Sequence, residues 1–128
     1  LALFKGDYKP TWESCPHSAC WFIRFKKMDD PVEIDLLWEK LLFALIGEQF
    51  EEPHLLGAIL SIRGRETIIE IWFNYYKNNY RKAHIASKLK NIMHIDVTTT
   101  LYFKDNELSL MDNSTIRNAE SYNYVKIK

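Results

Sequence analysis

The hydrophobic positions change period along the chain, and each change marks an element. From Ala19 to Phe25 the pattern alternates, with Trp21, Ile23 and Phe25 on one side and Phe22 and Arg24 on the other, the two-residue repeat of a half-buried strand. From Pro31 the repeat becomes three-and-four. Ile34, Leu37, Trp38, Leu41, Leu42, Leu45 and Ile46 form one stripe, which predicts a helix buried along that face. Asp29 or Asp30 suits its cap, Pro31 its first turn and Gly47 its end. Leu36 and Phe43 stand seven apart on a different face of this helix, with Gly47 one turn further on. A second apolar face needs cover, either from another part of the same protein or from a docked peptide.

Leu56 to Arg63 and Thr67 to Phe73 are apolar, β-branched runs joined by a few residues around Gly64, with Arg63 and Arg65 flanking the turn; this predicts a β-hairpin. Asn78 or Asn79 then opens a second helix to about Met93, with Ile85, Leu89 and Ile92 inward and Arg81, Lys82, Lys88 and Lys90 outward as a solvated face. Ile95 to Phe103, with three consecutive threonines, reads as a strand, and Tyr122 to Lys128 as a closing one. Between them KDNELSLMDNSTIRNAES is long and polar, the composition of a flexible surface loop. Strand, helix, strand pair, helix, strand, strand is an α+β order: a mostly antiparallel sheet with helices gathered on one side. No internal repeat or linker divides residues 1–128, so one domain is expected. The chain opens on Leu1 and already has a core-type Phe4, as a part of a longer protein would.

Charge narrows the function. With 17 basic and 17 acidic residues and a formal net charge of zero, the chain lacks the broad basic surface of a general nucleic-acid binder, so any such contact is local. DNA is not expected as a partner. No run of about eighteen apolar residues and no leader-like opening suggest a membrane span or signal peptide, and a cytoplasmic or nuclear location is the expectation. Cys15, His17 and Cys20 lie close in sequence but lack a fourth candidate ligand nearby, so free thiols are favoured over a metal site. His17, His54, His84 and His94 are scattered, and no nucleophile–base pair, phosphate loop or HExxH spacing occurs. No enzyme and no cofactor are expected; binding is the better reading.

Binding chemistry gathers at KPTWES, where Trp12 stands beside Glu13 in a stretch without helical or strand period. Taken alone, Trp12 could be a hydrophobic plug and Glu13 a solvated acid. The functional alternative is specific: an indole stacks on a flat base, more strongly on a cationic one, and a carboxylate accepts the two donors of a guanine edge. Arg63 and Arg65, two residues apart, could clamp phosphate or simply keep a hairpin soluble.

The stretches LALFKGDYKPTWE, CWFIRF, LLWEKLLFALIGEQF, GAILSIRGR and IEIWF, in this order and spacing, resemble the mRNA cap-binding translation initiation factor 4E family. The helical W-x-x-x-L-L-x-x-x-I-G-E-x-F pattern is the most specific part. The resemblance implies a curved antiparallel sheet with helices on its convex back and a slot for the 7-methylguanosine cap of mRNA on its concave face. It assigns Trp12 to stacking on the methylated guanine, Glu13 to the guanine edge, Trp72 to the methyl group, and Arg63, with Arg65 in place of a lysine, to the phosphates. It also matches Leu36, Glu39, Lys40, Phe43 and Gly47 to the dorsal surface that takes a scaffold subunit or competing repressor proteins.

The resemblance covers the family's last two thirds. The first strands, the first helix and the second stacking tryptophan fall outside these residues; without that tryptophan, cap affinity should drop by the ~1–3 kcal/mol typical of a stacking partner. Ile68 stands where the family has a phosphate-binding lysine, a role Lys104 or Arg117 could take over. Glu39 replaces an apolar contact and Lys40 an acidic one, which implies partners of altered sequence. The rival reading is an interaction module that keeps the fold and docks a protein without using the cap.

Overall fold

A computed structural model describes residues 1–6, 8–26, 31–47, 53–93 and 99–123. Along the chain run β1 (Ala2–Phe4), β2 (Ser18–Lys26), α1 (Pro31–Ile46), β3 (Leu55–Ile62), β4 (Glu66–Asn74), α2 (Asn79–Met93), β5 (Thr100–Asp105), α3 (Asn106–Asp112) and β6 (Glu120–Asn123). The strands form one antiparallel six-stranded sheet in the order β1-β3-β4-β2-β5-β6. The architecture is α+β, a curved antiparallel sheet with helices packed on its convex face.

Strand alternation sorts the side chains into two layers. On the helix side, Trp21 and Ile23 of β2, Ile69, Ile71 and Phe73 of β4, and Leu101 and Phe103 of β5 join Trp38, Leu41 and Ala44 of α1 and Ile85, Leu89 and Met93 of α2 in the main core. Trp21 and Trp38 are thus core residues, as their periods imply. Burial of indole bodies requires a partner for the N–H, and Trp21 Nε1 donates to the Lys82 carbonyl at 2.9 Å. On the opposite face Cys20, Phe22, Leu56, Ile68 and Trp72 form a second buried cluster with Cys15. A sheet apolar on both faces must be covered twice; the loops and β1 do this where no helix lies.

The hairpin of β3 and β4 turns at Gly64, and Asn78 starts α2, its Oδ1 accepting from the Arg81 amide at 3.0 Å. The capping role expected of Asp29 or Asp30 lies outside the described residues, as do residues 95–98 and 124–128 of the last two expected strands. Three expectations are corrected. Ile46 is 70% exposed instead of closing the buried stripe of α1, and joins Leu36 at 54% and Phe43 at 62%. Lys82 is not a freely solvated residue of α2: its ammonium lies 3.9 Å from the centroid of the Phe103 ring and pairs with Glu120 at 2.9 Å.

The third correction concerns the stretch expected to be a flexible loop. It begins inside β5 and contains α3, because Asp105 caps that helix by accepting from the Glu107 amide at 3.0 Å. Lys104, Asn106 and Ser109 are buried in it. Polar composition concealed an element in which several polar groups find partners: Asn106 donates to the Cys15 carbonyl at 2.9 Å, and Lys104 pairs with Asp112 and with the Arg117 carbonyl, while the buried Ser109 hydroxyl has none.

Candidate ligand-binding face

Trp12 and Glu13 occupy a tight turn between β1 and β2. Thr11 Oγ1 donates to Ser14 Oγ at 2.8 Å and accepts from the Ser14 amide at 3.2 Å, so the turn is closed by its own hydroxyls. The turn's exit is fixed at Cys15, whose carbonyl takes hydrogen bonds from Asn106 and from the Ser18 amide. The result is a braced loop from which Glu13 projects exposed while the half-buried Trp12 packs against the second cluster.

Trp72 belongs to that same cluster and is 2% exposed. The edge of its ring meets Phe4 of β1 at a centroid distance of 5.6 Å and 72° between planes. It forms floor and not rim. Beside it in β4 is Glu70, whose Oε1 accepts from Trp72 Nε1 at 3.1 Å. Burial raises the Glu70 carboxyl above the ordinary glutamate range, against the pull of the Trp72 N–H, the Arg63 charge and the Cys20 thiol. The same burial raises Cys20 well above the usual thiol value. Both cysteines are buried free thiols.

Arg63 and Arg65 are exposed on either side of the Gly64 turn. Ile68 is buried one strand step from the turn, opposite Ser61, and offers the rim no charge. Lys104 is committed elsewhere by its bonds to Asp112 and the Arg117 carbonyl, while Arg117 is exposed and donates to the Asp112 carbonyl at 3.3 Å. Of the two late-loop cations, Arg117 is therefore the one facing solvent. Trp12 and Trp72 thus share one face of the sheet, where the Arg63 charge acts on Glu70, while for Arg65 only its exposure is shown. Glu70 and Phe4 were missed by sequence reasoning; the period-two position of Glu70 between Ile68 and Trp72 was the available signal.

The Lys104–Asp112 pair holds this late loop in place, and Ile116 and Ala119 of the loop pack on the second cluster. The Lys104 hydrogen bond draws the Asp112 carboxyl below its usual value. A depressed carboxyl stabilises the fold above its unfolded pKa, and that contribution disappears as pH falls through the folded one. Asp112→Asn leaves the Lys104 ammonium buried without its counter-charge, so a lowered melting temperature at neutral pH is expected. Lys104→Met combined with Asp112→Asn should recover part of the loss, because it removes the stranded charge. Thermal unfolding of the two variants checks this, and a single variant as stable as wild type contradicts it.

Leu36, Glu39, Lys40, Phe43 and Gly47 fall together on the outward surface of α1 and the turn after it, all exposed. This stripe lies across the sheet from Trp12 and Trp72. The two surfaces stand back to back on one α+β sheet, one carrying Trp12 and Trp72 and the other the exposed residues of α1.

The family profile described as Eukaryotic initiation factor 4E matches residues 1–121. The chain is 34% identical over 120 residues to eukaryotic translation initiation factor 4E-4 of Caenorhabditis elegans, covering 91% of this chain and 55% of that protein. It is 32% identical over 122 residues to eukaryotic translation initiation factor NCBP of Arabidopsis thaliana, covering 92% and 53%. The chain therefore belongs to the eukaryotic initiation factor 4E family, and spans about half the length of these curated relatives. Among solved structures, Ascaris suum eIF4E-3 in complex with an m2,2,7G cap superposes with a TM-score of 0.77 at 27% identity, over 81% of this chain and 60% of that one. Caenorhabditis elegans eIF4E-3 in complex with the 4E-binding protein Mextli gives 0.79 at 25% identity, over 93% and 68%.

Proposed function

We propose that this chain is a non-enzymatic module that binds the 7-methylguanosine cap of mRNA on its concave face and docks a scaffold subunit, or a repressor competing with it, on α1 during translation initiation. The observation that carries the reading is the braced turn presenting Trp12 beside an exposed Glu13, above a floor containing Trp72. In this reading the Trp12 indole stacks on the cationic base, Glu13 takes the donors of the guanine edge, Trp72 meets the methyl group, and Arg63 and Arg65 hold the phosphates. The cap complex of the Ascaris relative supports the ligand, and the Mextli complex of the Caenorhabditis one supports a protein partner. Residues 1–128 are read as one domain corresponding to the later part of the family fold.

The test is tryptophan fluorescence during titration with a methylated cap dinucleotide, with the unmethylated compound as control. Saturable quenching by the methylated form is the expected result; equal or absent response to both overturns cap recognition. A second reading, a docking module that does not use the cap, is favoured by the burial of Trp72 and by the apolar Leu36, Phe43 and Ile46 surface. It predicts no quenching together with retained capture of a peptide by α1.

A further inference from the structure

Glu70 is an acid where packing calls for a hydrocarbon. It lies in the middle of central strand β4, between Ile68 and Trp72 on the face that also carries Trp12, and is 5% exposed. Its cross-strand neighbours are Phe22 on β2 and Ile59 on β3. A carboxyl in such a place costs free energy unless hydrogen bonds satisfy it, and a leucine would fill the position without that cost. The acid is satisfied by groups of one kind. Trp72 Nε1 donates to it at 3.1 Å, and the Cys20 thiol and the Arg63 charge act on it. Two further cations of the sheet are held by other carboxylates: Arg24 by Glu66 at 2.9 Å, and Lys104 by Asp112.

This arrangement has two consequences for a ligand above the floor. An indole has a single donor, so anchoring it to Glu70 fixes which edge and face Trp72 turns toward the slot. A carboxylate in surroundings of low dielectric also acts on a nearby cation more strongly than one in water. We propose that Glu70 is a positioning and selectivity residue of the cap site: it orients Trp72 through the indole N–H and supplies, beneath the slot, a second negative charge that favours the methylated, cationic base over the neutral one. The inference rests on the cap-binding reading above and adds a residue to it.

The experiment compares the full chain with Glu70→Gln, which keeps an acceptor for the indole and removes the charge, and with Glu70→Leu, which removes both. Affinities for methylated and unmethylated cap dinucleotides are measured across pH, and the Trp72 indole N–H is followed by ¹H–¹⁵N NMR. Glu70→Gln should keep the Trp72 indole resonance near its wild-type position yet lose roughly tenfold in preference for the methylated ligand, as expected for loss of one charge acting on a bound cation. Glu70→Leu should also move the indole resonance. In wild type the preference should weaken as acid protonates Glu70, at a pH above the ordinary glutamate range, and Glu70→Gln should lack that step. A Gln variant with wild-type preference and pH profile overturns the inference alone. A wild-type protein that binds neither nucleotide overturns the cap reading and this inference together. If neither variant folds, the wild-type pH profile decides, and its lacking the step overturns the inference.

Discussion

Glu13→Ala is expected to weaken binding of the methylated cap dinucleotide strongly, and to reduce its preference over the unmethylated one, while leaving the melting temperature unchanged. The side chain is exposed on a turn whose closure depends on Thr11 and Ser14, not on Glu13. Its removal therefore subtracts little from folding, since surface substitutions away from special features usually stay within about 0.5 kcal/mol. Its contribution to the bound state is another matter. A carboxylate that accepts both donors of a guanine edge makes two charge-assisted hydrogen bonds under a stacked, desolvated base. Truncating one partner of such a pair typically costs about 2–5 kcal/mol, or roughly thirty- to several-thousand-fold in Kd. Fluorescence titration of the variant measures the loss directly. Unchanged affinity for the methylated dinucleotide would remove Glu13 from the site and turn attention to the α1 surface.

Gly57→Ala is expected to unseat β1. Gly57 is paired with Phe4, and a Cβ built on it would lie 2.2 Å from the Leu3 carbonyl oxygen and 2.6 Å from Cδ1 of the Phe4 ring. The nearest obstacle is backbone, so no side-chain rotation relieves it. Either β3 or β1 must move. β1 is the shorter of the two, three residues long, and among the described residues it pairs with β3 alone. Overpacking of this kind costs about 1–3 kcal/mol, occasionally more, a shift of several degrees in Tm for a domain of this size. The local consequence is larger than the global one. Phe4 would withdraw from the edge of Trp72, opening the floor of the proposed slot. Thermal unfolding and near-ultraviolet circular dichroism check the two halves of this expectation, and an unchanged near-ultraviolet spectrum would mean that Phe4 does not order Trp72.

The two carboxylates respond to pH in opposite senses. Asp112, drawn down by Lys104, supports the fold at neutral pH and ceases to do so in acid. Glu70, raised mainly by its burial, binds its proton more tightly in the folded chain than in the unfolded one. Its ionisation therefore weakens the fold as pH rises through the window between its unfolded and raised folded values. Retaining an ionisable group with that sign is understandable if the charged form is needed for binding, which is what the inference about Glu70 asserts.

The long periodic elements were legible in the sequence because local geometry alone dictates them. The alternation of Trp21, Ile23 and Phe25 marks a strand, although its other side with Cys20 and Phe22 is buried as well, and the spacing of Trp38 and Leu41 marks a helix buried along one side. The hairpin around Gly64 was legible for the same reason, and the exposed second face of α1 followed by subtraction. Three readings did not hold. The stretch after Lys104 is polar, yet it folds into α3, since Asp105 caps it and Asn106 and Lys104 find buried partners within the structure. Lys82 has the sequence context of a solvated lysine, yet sits over the rings of Phe103 and Tyr122 because β5 and β6 bring them beneath α2. Ile46 fits the helical stripe but comes at the last position of α1, where the stripe has passed beyond the sheet.

The sequence by itself determined the period, and with it the strands, the helices and the face each turns inward, because those depend on neighbours within a few residues. It also carried the family motifs, whose spacing is one-dimensional. Only the tertiary structure decided that Trp72 is a buried floor and Trp12 a half-buried wall, that Glu70 binds the indole N–H, and that Lys104 is matched by Asp112. Those facts depend on strand register and on loops returning from distant parts of the chain, and burial and charge pairing are properties of that assembly.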